Sequence, residues 1–127
     1  MSAPAAGHRP DATSEETWAA WLPQPASYGE LAVDRQTGVA GSTLELYRTL
    51  LGLRREHGLG VRELAWVGDA DDVLAFDLTA AGAPTVRVVT NFGAAPVALP
   101  AGDVLTASTG LEAGALPSDA TAWVVLA

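Results

Sequence analysis

Few residues in this chain could do chemistry, and most of them have a simpler use. Asp69, Asp71 and Asp72 form its densest acidic cluster. As a calcium loop the cluster fails: Val73 occupies the next alternating ligand position, and neither the glycine nor the distal glutamate follows at the required spacing. A solvated turn is the expectation. His8 and His57 are the two histidines, and without cysteine neither belongs to a zinc set. Ser42, His57 and an aspartate make a triad by composition only, since no Gly-x-Ser-x-Gly surrounds Ser42. No phosphate loop or dinucleotide fingerprint occurs. The reading assigns no catalytic residue, no metal ligand and no cofactor. Trp18 and Trp21 could stack on sugar rings, although a pair in a Pro-rich segment also serves to anchor packing. Trp66 and Trp123 lie in strand-like runs and are expected in the core.

Charge narrows the partners. Fifteen acids against seven arginines and no lysine give a net charge of −8, with no basic footprint for nucleic acid or an anionic membrane. No apolar run approaches the ~20 residues that span a bilayer. The start, Met1 to Gly7, lacks the basic and apolar regions of a signal peptide. Zero cysteines exclude disulfides, and a cytoplasmic location is expected. Apolar residues make up 49% of the 127, enough for a core, but much of that is alanine, and two Phe, two Tyr and four Trp supply the bulk. The length allows one ordinary domain, or one small domain plus a fragment.

The elements that must position these residues differ along the chain. Residues 1–17 are small, polar and Pro-bearing, and are expected to be mobile. Residues 18–41 form an irregular Trp/Pro-rich lead-in, where Pro23 and Pro25 force extended backbone before them. A helical turn around Glu30–Val33 precedes Gly38 and Gly41. Residues 42–58 predict an amphipathic helix. Ser42 can accept from the N–H of Glu45 and Glu45 can reach back, a capping box. Arg54 and Arg55 suit the last turn, and Gly58 suits the left-handed position that follows.

Leu44, Leu46, Tyr47, Leu50, Leu51 and Leu53 cover nearly half of this helix. An arc that wide asks for two neighbours, and the chain offers one, so part of it is expected to lack its partner here. Arg54 breaks the arc and needs an acidic or carbonyl partner, or a stem that carries its charge to water.

Residues 62–127 change to the period of strands. Leu64–Val67, Val73–Phe76, Thr85–Phe92, Val97–Leu99, Val104–Thr106 and Trp123–Leu126 read as strands, with turns at Gly68-Asp69, Ala81-Gly82-Ala83-Pro84, Gly93, Pro100-Ala101-Gly102 and Leu116-Pro117-Ser118-Asp119. The expected fold is mainly β: a small antiparallel β-sandwich of Greek-key type behind one amphipathic helix. Val86, Val88, Thr90 and Phe92 should share one face, and Arg87, Val89 and Asn91 the other.

Trp21-Leu22-Pro23-Gln24-Pro25, Gly41-Ser42-Thr43-Leu44-Glu45-Leu46-Tyr47-Arg48, Leu53-Arg54-Arg55-Glu56 and Asn91-Phe92-Gly93, in that order, carry a resemblance. From about residue 18 onward the chain resembles the C-terminal portion of α-glucosidases, the oligo-1,6-glucosidase-like branch of the α-amylase superfamily of glycoside hydrolases. The resemblance implies that residues 18–41 correspond to the last loop over a (β/α)₈ barrel mouth. It likewise makes 42–58 the last barrel helix and 62–127 the family's C-terminal β-sandwich domain. Family members are retaining hydrolases with an Asp nucleophile, a Glu acid/base and a second Asp. All three lie upstream of anything corresponding to this chain, and such a mechanism needs two carboxyls about 5–5.5 Å apart. The expectation is a segment that is non-catalytic alone and stabilises a barrel absent from this chain. α-Glucosides or malto-oligosaccharides are its candidate ligands. A free-standing carbohydrate-binding or interaction module using Trp18 and Trp21, and a truncated non-functional remnant, are the alternatives.

Overall fold

The computed structural model describes residues 23–127; His8, Trp18 and Trp21 lie outside it. Alternating apolar residues and Gly-bearing turns beyond Arg62 fold into seven strands: β1 (Glu63–Val67), β2 (Val73–Ala80), β3 (Ala83–Asn91), β4 (Val97–Ala98), β5 (Gly102–Ala107), β6 (Ala115–Leu116) and β7 (Ala120–Leu126). Five of them form one antiparallel sheet in the order β1-β2-β3-β7-β5, while β4 and β6 pair as a separate ribbon. The fold is therefore mainly β, a lopsided two-layer sandwich. The chain leaves the sheet after β3, returns at the far edge as β5, and β7 fills the gap between them. Strand β6 was not anticipated, because two residues ending in Leu116-Pro117 carry no alternation to read.

Register explains the alanine. Ala75 lies opposite Val89, Val89 opposite Ala122 and Ala122 opposite Ala107, so small side chains line one sheet face. That leaves room for Leu116 of the ribbon, fully buried against Val89, Ala120 and Ala122, with Leu99 and Leu111 beside it. Larger residues here would push the ribbon away. The other face holds Val86 and Val88, both buried. Strand β3 is thus covered on both sides, which suits its central place in the sheet. At Gly102 (φ 147°) a Cβ would stand 2.0 Å from the Val125 carbonyl oxygen, so β5 can approach β7 there only without a side chain.

Upstream lie a 3₁₀ turn at Ala26–Gly29 and two helices, α1 (Val33–Gln36) and α2 (Thr43–Glu56). The turn expected around Glu30–Val33 is displaced: a 3₁₀ turn lies before it, and the α-helical turn begins only at Val33. Helix α2 comes against β5, where Glu45, Leu46 and Thr49 share a cleft with Thr106–Gly110. The ribbon packs on one sheet face only, the one that carries Val89, Ala120 and Ala122. No described helix is long and apolar enough to cross a membrane.

Asn91 joins the two layers. It is fully buried, and its Nδ2 donates to the carbonyls of Ala95 (2.9 Å) and Leu116 (3.1 Å) while Oδ1 accepts from Gly93 N–H (2.9 Å). Its amide thus ties the end of β3 to β6 and shapes the intervening loop. Asn91→Ala strands those groups and should cost about 2–4 kcal/mol in urea unfolding. The half-buried pair Thr90–Thr121, whose hydroxyls meet at 2.8 Å, should cost less than ~1 kcal/mol when Thr121 becomes Val. Equal losses in the two variants would contradict this assignment of the joint.

Candidate functional site

The chemistry-bearing residues concentrate at the two ends of α2 and at one corner of the sheet. At the helix start, Ser42 Oγ accepts from the Glu45 N–H (3.3 Å) and donates to the Gln36 carbonyl (2.9 Å). Glu45 does not return to Ser42, whose N–H bonds the Val39 carbonyl instead (3.1 Å). Its Oε1 accepts from Gly38 N–H (3.0 Å) and from Arg48 Nη1 (2.6 Å). The reciprocal half of the capping box is replaced by a tether to the folded-back loop. Gln36 Oε1 satisfies the further free N–H of Leu44 (3.0 Å). The Gly38 hydrogen bond, more than Arg48, holds the Glu45 carboxyl below the usual glutamate range, with desolvation working against both.

At the helix end, Gly58 takes the left-handed conformation (φ 59°) and turns the chain so that Leu59 is buried. Arg62 then reaches back. Its guanidinium donates to the His57 carbonyl through Nε (3.0 Å) and Nη2 (2.7 Å), and through Nη1 to Leu78 (3.3 Å) and Pro84 (2.5 Å). A cation at the helix C-terminus is favourable, and here it also clamps the helix to the β2–β3 hairpin. Sequence reading passed over Arg62 because its partners are all backbone carbonyls, which leave no trace in residue types. Arg54 is exposed, with its guanidinium against Gly60, where a Cβ would meet Nη2 at 2.7 Å. Its charge reaches water beside the apolar arc, and the ion pairs among the described residues do not include it.

The arc itself is only partly covered. Leu44, Leu46, Leu50 and Leu53 are half-buried, whereas Tyr47 and Leu51 remain 61% and 57% exposed. On the sheet, Trp66 is 67% exposed, contrary to the expectation of a core residue. It stands on the edge strand β1, on a face that no second layer covers there, and Phe76 meets it edge-on at 5.6 Å. Trp123, on the central part of the sheet, is half-buried. Asp69, Asp71 and Asp72 are exposed in the β1–β2 turn, which the Phe92 N–H pins at the Asp72 carbonyl (2.8 Å). Among the described residues no group of three or more acids and histidines could hold a metal.

One ion pair lies within the sheet. Arg87 and Asp77 face each other across β2 and β3 in a two-point contact, Nε–Oδ1 2.7 Å and Nη2–Oδ2 2.8 Å. Hydrogen bonding to Asp77 raises the Arg87 pKa. Opposite charges matched across strands neutralise each other, which is a structural role.

No protein-family model and no curated protein sequence matches the chain. Among solved structures, the crystal structure of a "putative alpha amylase" from Salmonella typhimurium is similar in fold, with a TM-score of 0.53 and 24% identity over 66% of this chain. The match spans 16% of that protein's length, so the fold seen here recurs as a small part of a much longer chain.

Two outcomes check the helix ends. Glu45 has a lowered folded pKa, so its contribution is complete above the unfolded value of about 4.3 and fades as the pH falls through and below it. Protection factors of the Leu44–Arg48 amides, corrected for the intrinsic exchange rate at each pH, should therefore fall over that window, and Glu45→Gln should abolish the dependence; an unchanged profile in that variant would refute the tether. Arg62→Lys, which cannot fork between His57 and Pro84, should lose about 2 kcal/mol in chemical unfolding. Helix amides should lose protection before those of β3.

Proposed function

We propose that this chain is the C-terminal segment of an α-glucosidase-like glycoside hydrolase, non-catalytic alone, whose helix and sandwich cover and stabilise a (β/α)₈ catalytic barrel that another part of the enzyme supplies. The observation that carries this reading is the outer arc of α2: a well-capped helix that leaves Tyr47 and Leu51 facing water. Apolar area of that kind on a rigid element is the usual mark of a protein contact. The order of motifs from Trp21 to Gly93 supports it, as does the fold likeness to one part of a longer amylase-named protein.

On this reading residues 18–41 are the last loop over the barrel mouth, 42–58 its last helix and 62–127 the closing domain. α-Glucosides are the substrates of the whole enzyme, in the cytoplasm, and the barrel supplies the Asp/Glu/Asp set. The module contributes cover: burying a Leu or Tyr side chain contributes roughly 1.5–3 kcal/mol each to the joint structure.

The expressed chain should show no turnover of maltose or a chromogenic α-glucoside. Turnover that disappears when its own carboxylates are substituted would overturn the proposal. Tyr47→Lys with Leu51→Lys should leave the isolated chain's unfolding free energy within about 0.5 kcal/mol, because neither residue is covered. The same double variant should lower its binding of a hydrophobic dye. A large stability loss would mean that the arc is already partnered.

A further inference from the structure

The exposed corner of the sheet differs from the arc of α2 in one respect: free carboxylates stand beside its aromatic rings. A cleft of about 310 Å³ opens there, lined by Trp66, Leu74 and Phe92 with Asp71 at its margin. Trp66 and Phe92 are 67% and 62% exposed. The indole is braced by the edge of Phe76 at 5.6 Å and 77°, and the Phe92 backbone is bonded to Asp72 at 2.8 Å. The Trp66 ring is thus held in place before any ligand arrives, which reduces the ordering cost of binding.

We propose that this corner binds neutral pyranose sugars, one ring face against Trp66 or Phe92 and a hydroxyl donating to Asp71. The apolar C–H face of a pyranose matches an aromatic face, and an ionised carboxylate accepts only, as sugar hydroxyls require. A protein partner fits less well. Closing a protein surface over the corner would desolvate Asp71 next to Asp69 and Asp72, none of which has an ion-pair partner among the described residues. A second copy is disfavoured further, since each carries the same acids and a net charge of −8. The same acids repel uronates and sugar phosphates. This site does not depend on the barrel proposed above, and its test involves no turnover.

The site is shallow, so affinity should be weak, with a Kd on the order of 1 mM. The full chain, labelled with ¹⁵N, is titrated with maltotetraose and separately with cellotetraose, with trigalacturonate as the acidic control. At least one neutral tetrasaccharide should shift the Trp66 indole N–H and the amides of Asp71 and Phe92, and trigalacturonate should shift none. Trp66→Ala and Phe92→Ala, which remove exposed rings and keep the sheet, should each weaken binding by about tenfold or more, and Asp71→Asn by a few-fold. The double variant Trp18→Ala/Trp21→Ala should bind as the parent does. Absence of shifts up to about 20 mM, some twenty times the expected Kd, would overturn the assignment. So would shifts that persist in both single-ring variants or vanish in the Trp18/Trp21 variant.

Discussion

One side chain makes the polar tie between the helical segment and the sheet. Among the described residues, Arg62 alone makes side-chain hydrogen bonds to both parts, to His57 at the end of α2 and to Leu78 and Pro84 on the β2–β3 hairpin. That fork ties the end of α2 to the β2–β3 hairpin, while Glu45, Leu46 and Thr49 nearer its start meet β5 at the far edge of the sheet. A planar guanidinium spreads its donors over three nitrogens in a fixed fork, so it reaches the separated carbonyls of His57, Leu78 and Pro84 together. Gly58 makes the fork possible by reversing the chain within reach, and Leu59 fills the space inside the turn.

That arrangement leaves the two sheet faces unequal. On one, alanines admit a thin ribbon whose Leu116 seals a small dry core. On the other, a 14-residue helix does duty for a full layer, with no residue of its own completely buried. A helix so well capped and so little covered is stable in outline and unfinished in its packing. Its Ser42 and Gly58 ends follow from local hydrogen bonding, whereas Tyr47 and Leu51 of its arc stay exposed.

Local features were legible in the sequence. Ser42 and Gly58 bracket α2 because cap and left-handed preferences are properties of single residues. Strand alternation gave the sheet, since one-sided burial imposes a period of two. Features set by topology were not. Counting back from the Ala80–Ala83 pair would set Asp77 opposite Val86; a register shift between Leu78 and Ala80 sets it opposite Arg87 and creates the ion pair. Trp66 reads like Trp123 until the strand order places one at an edge and the other between neighbours. Glu45 found Gly38 because the loop folds back over the helix start, a tertiary event invisible to the four-residue motif.

The acidic excess can now be divided. Glu45 and Asp77 are committed to Arg48 and Arg87, and Arg62 is spent on carbonyls, so these charges belong to the fold. Asp69, Asp71 and Asp72 do no such work, yet their turn is fixed by backbone bonding to Phe92. Three like charges in one short turn repel one another, and nothing in the hydrogen bonding of the turn needs them. Their position beside two exposed aromatic rings is where the sequence departs from what the fold alone requires. Of the three, Asp71 lines the cleft with those rings, and it is the carboxylate that the proposed sugar site uses.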